Sequence, residues 1–474
     1  MAGDRESIHG QWSSRWAFIL AATGSAVGLG NIWKFPYIAG ENGGGAFVLV
    51  YLACIVVIGI PIMIAEVMLG RRGRQSPINT MHTLSIEAGH STHWQYLGWL
   101  GVAAGFLILS YYSVIAGWTL AYVAQATSGA FTDASVEVVK NVFIDLVSNP
   151  ERLIAWHALF MVMTMYVVAR GVGGLEKAVT YLMPALFLIL LLLVGYGIQN
   201  GSFAEAVEFL FNPDFHALFY HLDEHGEEYM SWNGVLIAMG HAFFTLSLGM
   251  GAIMVYGSYL PADTSIAQTS FIIAISDTVV ALLAGLAIFP IVFANNLEPG
   301  SGPGLIFNTL PFAFGHMEGG LIFGSLFFIL LVFAAWTSSI SLIEPAAAWL
   351  VENLGIGRVK AAMLIGVSCW AFGLLTVFSF NIWSDVKPLS YIKIFKDATI
   401  FDLLDYLTAN IMLPLGGLFI AIFAVWIMSR EASMEELDMG NRFGFKLWRF
   451  LVRYITPVAL IVIFLNVAGV ISFK

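Results

Sequence analysis

The chain alternates between long apolar stretches and short polar connections. Because about 20 residues at a rise of 1.5 Å cross the hydrocarbon core of a bilayer, the apolar windows predict about eleven membrane-spanning helices. They cover roughly residues 15–39, 44–70, 97–126, 152–170, 175–199, 232–260, 266–296, 319–350, 359–381, 399–428 and 447–471. This pattern predicts an all-α polytopic membrane protein whose residues 1–474 form one transmembrane domain.

Glycine interrupts the first predicted span at its centre. Gly24, Gly28 and Gly30 lie within seven residues, and each costs about 1 kcal/mol relative to alanine in a helix interior. Broken helix is tolerated at membrane depth only where it is buried or lines a cavity. Two interpretations are open: a binding site that uses freed carbonyls and a half-helix amino end, or close packing of another helix.

A second glycine-rich sequence lies about half a chain later. Residues 247–251 (SLGMG) are similar to residues 26–30 (AVGLG), and paired interrupted spans indicate an inverted-repeat transporter. We therefore predict one repeat at about 15–199, a second at about 232–428 and an extra helix at about 447–471. The first and sixth spans are predicted to unwind at the bilayer midplane.

Composition and charge support this class and predict an orientation. The chain is 59% hydrophobic and 11% charged, whereas soluble proteins carry about 25% charged residues. Its net charge of −10 argues against nucleic acid as a partner. The basic cluster at 70–74 predicts a cytoplasmic loop, and the acidic segment at 200–231 predicts an external one. The amino terminus is then expected in the cytoplasm and the carboxyl terminus outside.

Two further segments each leave two interpretations open. Residues 300–304 (GSGPG) precede a mostly apolar external loop, which is either surface packing or a lid over a central cavity. Gly174 and Pro184 enclose nine residues at the start of the fifth span. Both residue types weaken a helix, so this segment either unwinds locally to admit water or is an ordinary kinked helix.

Five motifs resemble the neurotransmitter:sodium symporter family. They occur in order along nearly the whole chain, at 25–31 (SAVGLGN), 33–36 (WKFP), 41–47 (ENGGGAF), 242–249 (AFFTLSLG) and 337–339 (TSS). The resemblance is to the prokaryotic, eleven-helix branch and implies a 5+5 inverted-repeat fold of the leucine-transporter type. It also implies a sodium-driven symporter of small amino-type solutes, working by alternating access in the cell inner membrane.

The resemblance implies two sodium sites. The first would use Ala26, Asn31, Thr245 and Asp277. The second would use Gly24, Val27, Ala334, Thr337 and Ser338. Sodium is a hard cation that prefers oxygen ligands, which carbonyls of an unwound helix and hydroxyl groups supply. A Thr-Ser pair in an apolar span is also common as a back-bonded helix pair.

Asp277 lies in the middle of a predicted span, where a carboxylate is costly and marks a functional site by default; a structural carboxylate is the alternative. Chloride-dependent relatives hold an anion near positions matched by Tyr51, His241, Thr245 and Ala281. Here His241 replaces the usual Gln and Ala281 the usual Ser. We therefore predict no chloride requirement, with proton exchange through Asp277 left open.

Gly28 stands where monoamine-carrying relatives have Asp, which implies a substrate with its own carboxylate. The amides of Leu29 and Gly30 and the hydroxyl of Tyr112 would bind that carboxylate. Carbonyls would bind the ammonium group, from Ala26, Phe244, Thr245 and Ser247. The side-chain pocket would consist of Ser25, Ile108, Phe244, Ser247, Met250 and Leu342.

This pocket favours a neutral, mostly hydrophobic amino acid, and the flexible Met250 would tolerate differently shaped ligands. A taurine-, GABA- or betaine-like osmolyte remains an alternative substrate. A channel or a non-transporting amino acid sensor remains an alternative function. The chain is predicted not to be an enzyme, because neither H-E-x-x-H nor G-x-S-x-G occurs. The sequence leaves the oligomeric state open.

The resemblance also implies two gates. Lys34 and Asp405 match the outer pair, and Tyr259 and Glu352 match inner positions. His9 lies where an Arg is usual, with Arg5 close by, so either residue could close the inner side.

Overall fold

A computed structural model describes residues 5–222, 227–299 and 304–467. The helices of the first half are α1 (Arg15–Ala26), α2 (Gly30–Glu41), α3 (Gly45–Gly73), α4 (Pro77–Glu87), α5 (Thr92–Thr127), α6 (Val136–Val147), α7 (Pro150–Val168) and α8 (Gly171–Asn200). The second half consists of α9 (Phe203–Phe211), α10 (Phe215–Phe219), strands β1 (Tyr220–Leu222) and β2 (Glu228–Met230), α11 (Asn233–Thr245), α12 (Ala252–Ser258), α13 (Ile266–Ala294), α14 (Leu310–His316), α15 (Gly320–Leu354), α16 (Arg358–Ser379), α17 (Ile400–Ile427), α18 (Arg430–Leu437) and α19 (Phe443–Asn466). The two strands form an antiparallel hairpin.

Within the described residues, nine helices are long and apolar enough to cross a membrane, or ten if the bent pair α1–α2 forms one span. The predicted sixth span, residues 232–260, consists of two shorter helices, α11 and α12. The all-α, polytopic architecture is therefore confirmed, whereas the count of eleven stays a prediction. The predicted tip of the acidic loop (223–226), the start of the predicted lid (300–303) and the last predicted residues of the final span (468–471) lie outside the described residues.

The chain breaks its helices at both glycine-rich sequences. Between α1 and α2 the chain bends by 51°, and Val27 ends α1 in an extended conformation. Between α11 and α12, Ser247, Gly249 and Gly251 have φ angles of 54°, 81° and 76°. Glycine adopts this left-handed region without strain, whereas serine is strained there. Ser247 is therefore held in an unfavourable conformation by its surroundings.

The broken pair lies at the centre of the bundle. Helix α1 contacts α8, α12, α13 and α15, and α15 packs along α5. Helix α8 is continuous from Gly171 to Asn200 with Pro184 inside it, so the local unwinding after Gly174 stays a prediction. In the apolar external loop that follows residues 300–304, Phe307 is buried, and its carbonyl accepts a hydrogen bond from the Tyr122 hydroxyl at 2.9 Å. This part of the loop is therefore packed rather than free.

Candidate functional site

One cluster of oxygen atoms lies where the α1–α2 break meets α15. The Ser338 hydroxyl oxygen lies 3.2 Å from the carbonyl oxygens of Ser25 and Val27 and 3.5 Å from that of Gly24. A serine hydroxyl has one proton, so most of these carbonyl lone pairs stay unmatched. This surplus of hard oxygen acceptors suits a small cation.

The other predicted members of this second sodium site lie beside the cluster. A Cβ atom built on Gly24 would be 3.3 Å from Cβ of Thr337, so the two residues face each other across the α1–α15 contact. The Thr337 hydroxyl is within 3.1 Å of the carbonyl oxygens of Phe333 and Ala334. The structure thus brings all five predicted residues to one place, with Thr337 still bonded within its own helix.

A second cluster surrounds Asp277, which is fully buried in α13. The Asn31 amide nitrogen donates to its carboxylate at 2.8 Å, and the Thr245 hydroxyl donates to it at 3.0 Å. Within the described part of the chain, no Lys or Arg pairs with this carboxylate. A buried carboxylate is costly without a cationic partner, so the site is chemically suited to a bound cation. Ala26, the fourth predicted residue, ends α1 at the adjacent break.

The positions matched to an anion site lie next to this cluster. The His241 ring is stacked on Phe35 at 5.9 Å and lies 5.5 Å from the Tyr51 ring. Both ring nitrogens of His241 are buried and lack a hydrogen-bond partner within the described residues. Ala281 is fully buried and has no polar side-chain atom. Tyr51 and His241 are therefore brought together, but Ala281 cannot donate to an anion.

The predicted carboxylate-binding residues meet at the start of α2. The Leu29 amide donates to the Tyr112 hydroxyl at 3.2 Å. A Cβ atom on Gly28 would lie 3.0 Å from that hydroxyl and 2.5 Å from the Ser338 hydroxyl, and one on Gly30 would lie 3.2 Å from the Phe244 ring. A side chain at Gly28 would therefore displace one of these hydroxyl groups, and one at Gly30 would press on the Phe244 ring, so the break is closely packed on both sides.

The residues of the predicted side-chain pocket lie on α1, α5, α11 and α15 and in the break between α11 and α12. Gly105, one turn before Ile108 on α5, lies against the backbones of two pocket residues: its built Cβ would be 3.1 Å from the Leu342 carbonyl oxygen and 3.7 Å from that of Met250. The Ser247 hydroxyl donates to the Ser25 carbonyl at 2.8 Å. The structure therefore places the predicted pocket residues around the two helix breaks.

Sequence reasoning missed Ser341, which belongs to the same region. The Ser25 hydroxyl donates to the Ser341 hydroxyl at 2.7 Å, and Ser341 donates to the Ser338 carbonyl at 2.8 Å. The signal was available, because residues three apart lie on the same face of a helix. Ser341 therefore lies, like Ser338, on the face of α15 that packs against α1.

At the outer end, the predicted pair is not formed in this conformation. Across the described residues, Lys34 has no carboxylate within 4.0 Å; its ammonium lies 4.8 Å above the Phe244 ring instead. A cavity of about 330 Å³ there is lined by residues that include Lys34, Tyr37, His241 and Phe244. Lys34 and Asp405 therefore make no direct contact in this structure, and their role as an outer gate stays a prediction.

At the opposite end, Glu352 holds the amino-terminal segment. Its carboxylate accepts from His9 Nε2 at 3.0 Å, from the amide and hydroxyl of Ser76 at 2.7 and 2.5 Å, and from Asn79 at 2.7 Å. Arg5 pairs instead with Glu87 at 2.9 Å. Of the two residues that the sequence left open, His9 is the one that contacts Glu352.

Arg5 forms a separate attachment on the same side. It also donates to the Arg72 carbonyl at 3.1 Å. Burial raises the pKa of Glu87, but hydrogen bonds and charges from Arg72 and Arg5 outweigh burial, so the net pKa lies below the ordinary value. Glu87 is therefore ionised and holds Arg5 through opposite charge.

Tyr259 contacts a second buried carboxylate rather than Glu352. Its hydroxyl donates to Glu344 at 2.6 Å, and Glu344 forms an ion pair with Arg358, which donates to the Val168 carbonyl at 3.0 Å. Both ionic residues were missed by sequence reasoning. This pair joins α12, α15, α16 and α7 below the break.

The hydrogen bonds of Glu352 should limit the local opening of the amino-terminal segment. The Trp12 amide donates to the Tyr259 carbonyl at 3.0 Å. Hydrogen bonds to a charged group contribute about 1.5–3 kcal/mol, against about 0.5–1.5 kcal/mol for neutral ones. We therefore expect Glu352→Gln to speed amide exchange of Trp12 roughly tenfold, measured by hydrogen–deuterium exchange. Glu435→Gln removes a 67% exposed carboxylate and is the matched control. Equal exchange in both variants would contradict the prediction.

Comparison with known proteins agrees with this geometry. The Sodium:neurotransmitter symporter family matches residues 9–145 and 147–474. The chain is 37% identical to the uncharacterized sodium-dependent transporter YhdH of Bacillus subtilis (strain 168), over 98% of each chain. It is 24% identical to the sodium-dependent nutrient amino acid transporter 1 of Drosophila grimshawi, over 96% of this chain and 76% of that protein.

A solved structure supports the same fold. The crystal structure of MhsT in complex with L-phenylalanine has a TM-score of 0.85 and 41% sequence identity, covering 97% of this chain and 99% of that one. The family match, the relatives and the shared fold show a multi-pass membrane transporter, not an enzyme. The chain belongs to the sodium:neurotransmitter symporter family and is a sodium-dependent transporter.

Proposed function

We propose that this protein is a symporter that takes up a neutral, predominantly hydrophobic amino acid together with sodium. The observation that carries the proposal is the pair of oxygen clusters at the α1–α2 break, around Ser338 and around Asp277. Each cluster offers oxygen acceptors to a hard cation. The L-phenylalanine named for MhsT and the amino acid transporter named for Drosophila support this substrate class.

The two clusters correspond to two proposed sodium sites. Ala26, Asn31, Thr245 and Asp277 form the first site, where a substrate carboxylate would complete the ligands. The second site is formed by Gly24, Val27, Ala334, Thr337 and Ser338. The substrate would lie between them, at the amides of Leu29 and Gly30 and the hydroxyl of Tyr112.

We also propose that transport needs no chloride. Asp277 already places a buried carboxylate within the first site, and Ala281 offers no hydrogen-bond donor to an anion. The proposed orientation puts the amino terminus in the cytoplasm. With that orientation, the His9–Glu352 attachment closes the inner side, and Lys34 lies toward the outer side. The proposed mechanism is alternating access between two five-span repeats (about 15–199 and 232–428).

Uptake into proteoliposomes tests the proposal. A panel of labelled amino acids and osmolytes is offered in chloride-free buffer, with an inward sodium gradient and a potassium gradient as control. We expect saturable accumulation of neutral amino acids with sodium alone. Uptake that appears only with chloride would overturn the chloride proposal. Selective uptake of taurine, GABA or betaine would overturn the amino acid class, and binding without uptake would indicate a sensor.

A further inference from the structure

The hydroxyl groups of the proposed side-chain pocket form a chain in which each proton is already used. Ser25 donates to the Ser341 hydroxyl, and Ser341 donates to the Ser338 carbonyl. A serine hydroxyl has one proton and two lone pairs. Ser25 therefore keeps two lone pairs and Ser341 keeps one, while neither has a proton left to donate.

The hydroxyl proton of Ser247, the third hydroxyl residue of the pocket, is also used in a hydrogen bond within the protein. Its proton goes to the Ser25 carbonyl at 2.8 Å, and its left-handed backbone, φ 54°, restricts its side chain. Ser25, Ser247 and Ser341 are all more than nine-tenths buried. The side chains of Ile108, Met250 and Leu342 complete the wall and have no hydrogen-bond donor.

We infer that this pocket selects substrates by hydrogen-bond polarity: it offers acceptors only, and Ser341 fixes this polarity by taking the Ser25 proton. The inference rests on the proposed function, which places an amino acid side chain in this pocket. The favoured substrates are neutral amino acids whose side chain carries a hydroxyl or ring N–H donor. A ligand side chain with only an acceptor would place its lone pairs against those of the serine oxygens. It would lose its hydrogen bonds to water and gain none in the pocket.

Ser341 acts through Ser25 and is a positioning residue. Replacing Ser341 with alanine removes the acceptor for the Ser25 proton. The Ser25 hydroxyl can then rotate and donate to a ligand. The pocket should thereby gain a donor, so that side chains with an acceptor are no longer penalised.

Two pairs of ligands of equal shape measure this polarity. The donor pair is L-tryptophan and 3-benzothienyl-L-alanine, in which sulfur replaces the ring N–H. The acceptor pair is O-methyl-L-serine and L-norvaline, in which an ether oxygen replaces a methylene group. Competition for sodium-dependent binding to the purified full chain gives one affinity ratio for each pair. A ratio within a pair cancels shape, and its change on mutation cancels the hydration of the free ligands.

We expect the wild-type protein to favour tryptophan over its sulfur analogue by about fivefold to tenfold, the effect of one hydrogen bond. Ser341→Ala should raise the ratio of O-methylserine to norvaline by about fivefold. Ser339→Ala is the matched control, because the Ser339 hydroxyl donates within its own helix to Ala335; it should leave both ratios unchanged. Ser25→Ala removes the two lone pairs of Ser25 and should lower the donor preference, which keeps the inference testable if Ser341→Ala does not fold.

The outcomes separate the inference from the function. If all four ligands bind and Ser341→Ala leaves the acceptor ratio at its wild-type value, the inference is wrong and the proposed function stands. If Ser25→Ala leaves the donor preference at its wild-type value, the ligand's donor is recognised by other residues and the inference is also wrong. If none of the four ligands binds with sodium, the proposed amino acid class is wrong and the inference falls with it.

Discussion

Asp277→Asn should lower sodium-driven uptake in chloride-free buffer by about a hundredfold or more, because removing one partner of a buried ion pair costs about 3–5 kcal/mol. The variant keeps the side-chain shape and retains an oxygen that can accept from Asn31 and Thr245. It removes the negative charge that would balance a sodium ion at the first site. The loss should therefore appear as a raised sodium requirement with the fold preserved.

The measurement is the sodium concentration that gives half-maximal uptake, with and without chloride. Asp263→Asn makes the same chemical change at an exposed position and is the matched control. Adding Ala281→Ser to Asp277→Asn restores a donor beside the site, so chloride should then recover part of the uptake. Uptake by Asp277→Asn that equals wild type and ignores chloride would show that Asp277 does not balance the cation.

The sequence alone predicted the main features of the bundle because they depend on local composition. Long apolar windows predicted spans, and the glycine-rich sequences at 24–30 and 247–251 lie where the structure ends helices. Asp277 was found because a carboxylate in an apolar span stands out. The same signal marks Glu66 and Glu344, which are also fully buried in long helices, although the sequence analysis assigned neither of them a role.

Other features could not be read from the sequence because they depend on the relative position of distant helices. Glu344 pairs with Arg358. From the sequence, Arg358 could equally well be a basic residue of a cytoplasmic loop, as the positive-inside rule expects. The contact of Ser25 with Ser341 depends on the register between α1 and α15. The open Lys34–Asp405 pair depends on which conformation the protein adopts, which no sequence pattern encodes.

Gly28→Ala should reduce sodium-dependent substrate binding at least tenfold while the chain still folds. The new Cβ atom would lie 2.5 Å from the Ser338 hydroxyl and 3.0 Å from that of Tyr112. Overpacking of this kind costs about 1–3 kcal/mol. If Ser338 rotates away to relieve the contact, it leaves the carbonyls of Ser25 and Val27, and the second oxygen cluster loses its hydroxyl.

Either response weakens the site, so the effect should appear in sodium and substrate affinity before it appears in thermal stability. Gly195→Ala is the matched control, because nothing lies within 4 Å of the position that its Cβ atom would occupy. Combining Gly28→Ala with Ser338→Ala removes the shortest contact, the one with the Ser338 hydroxyl, but does not restore the lost ligand. That double variant should regain stability without regaining sodium affinity. Full recovery of sodium affinity would mean that Ser338 does not bind the ion and that the clash alone explains the single variant.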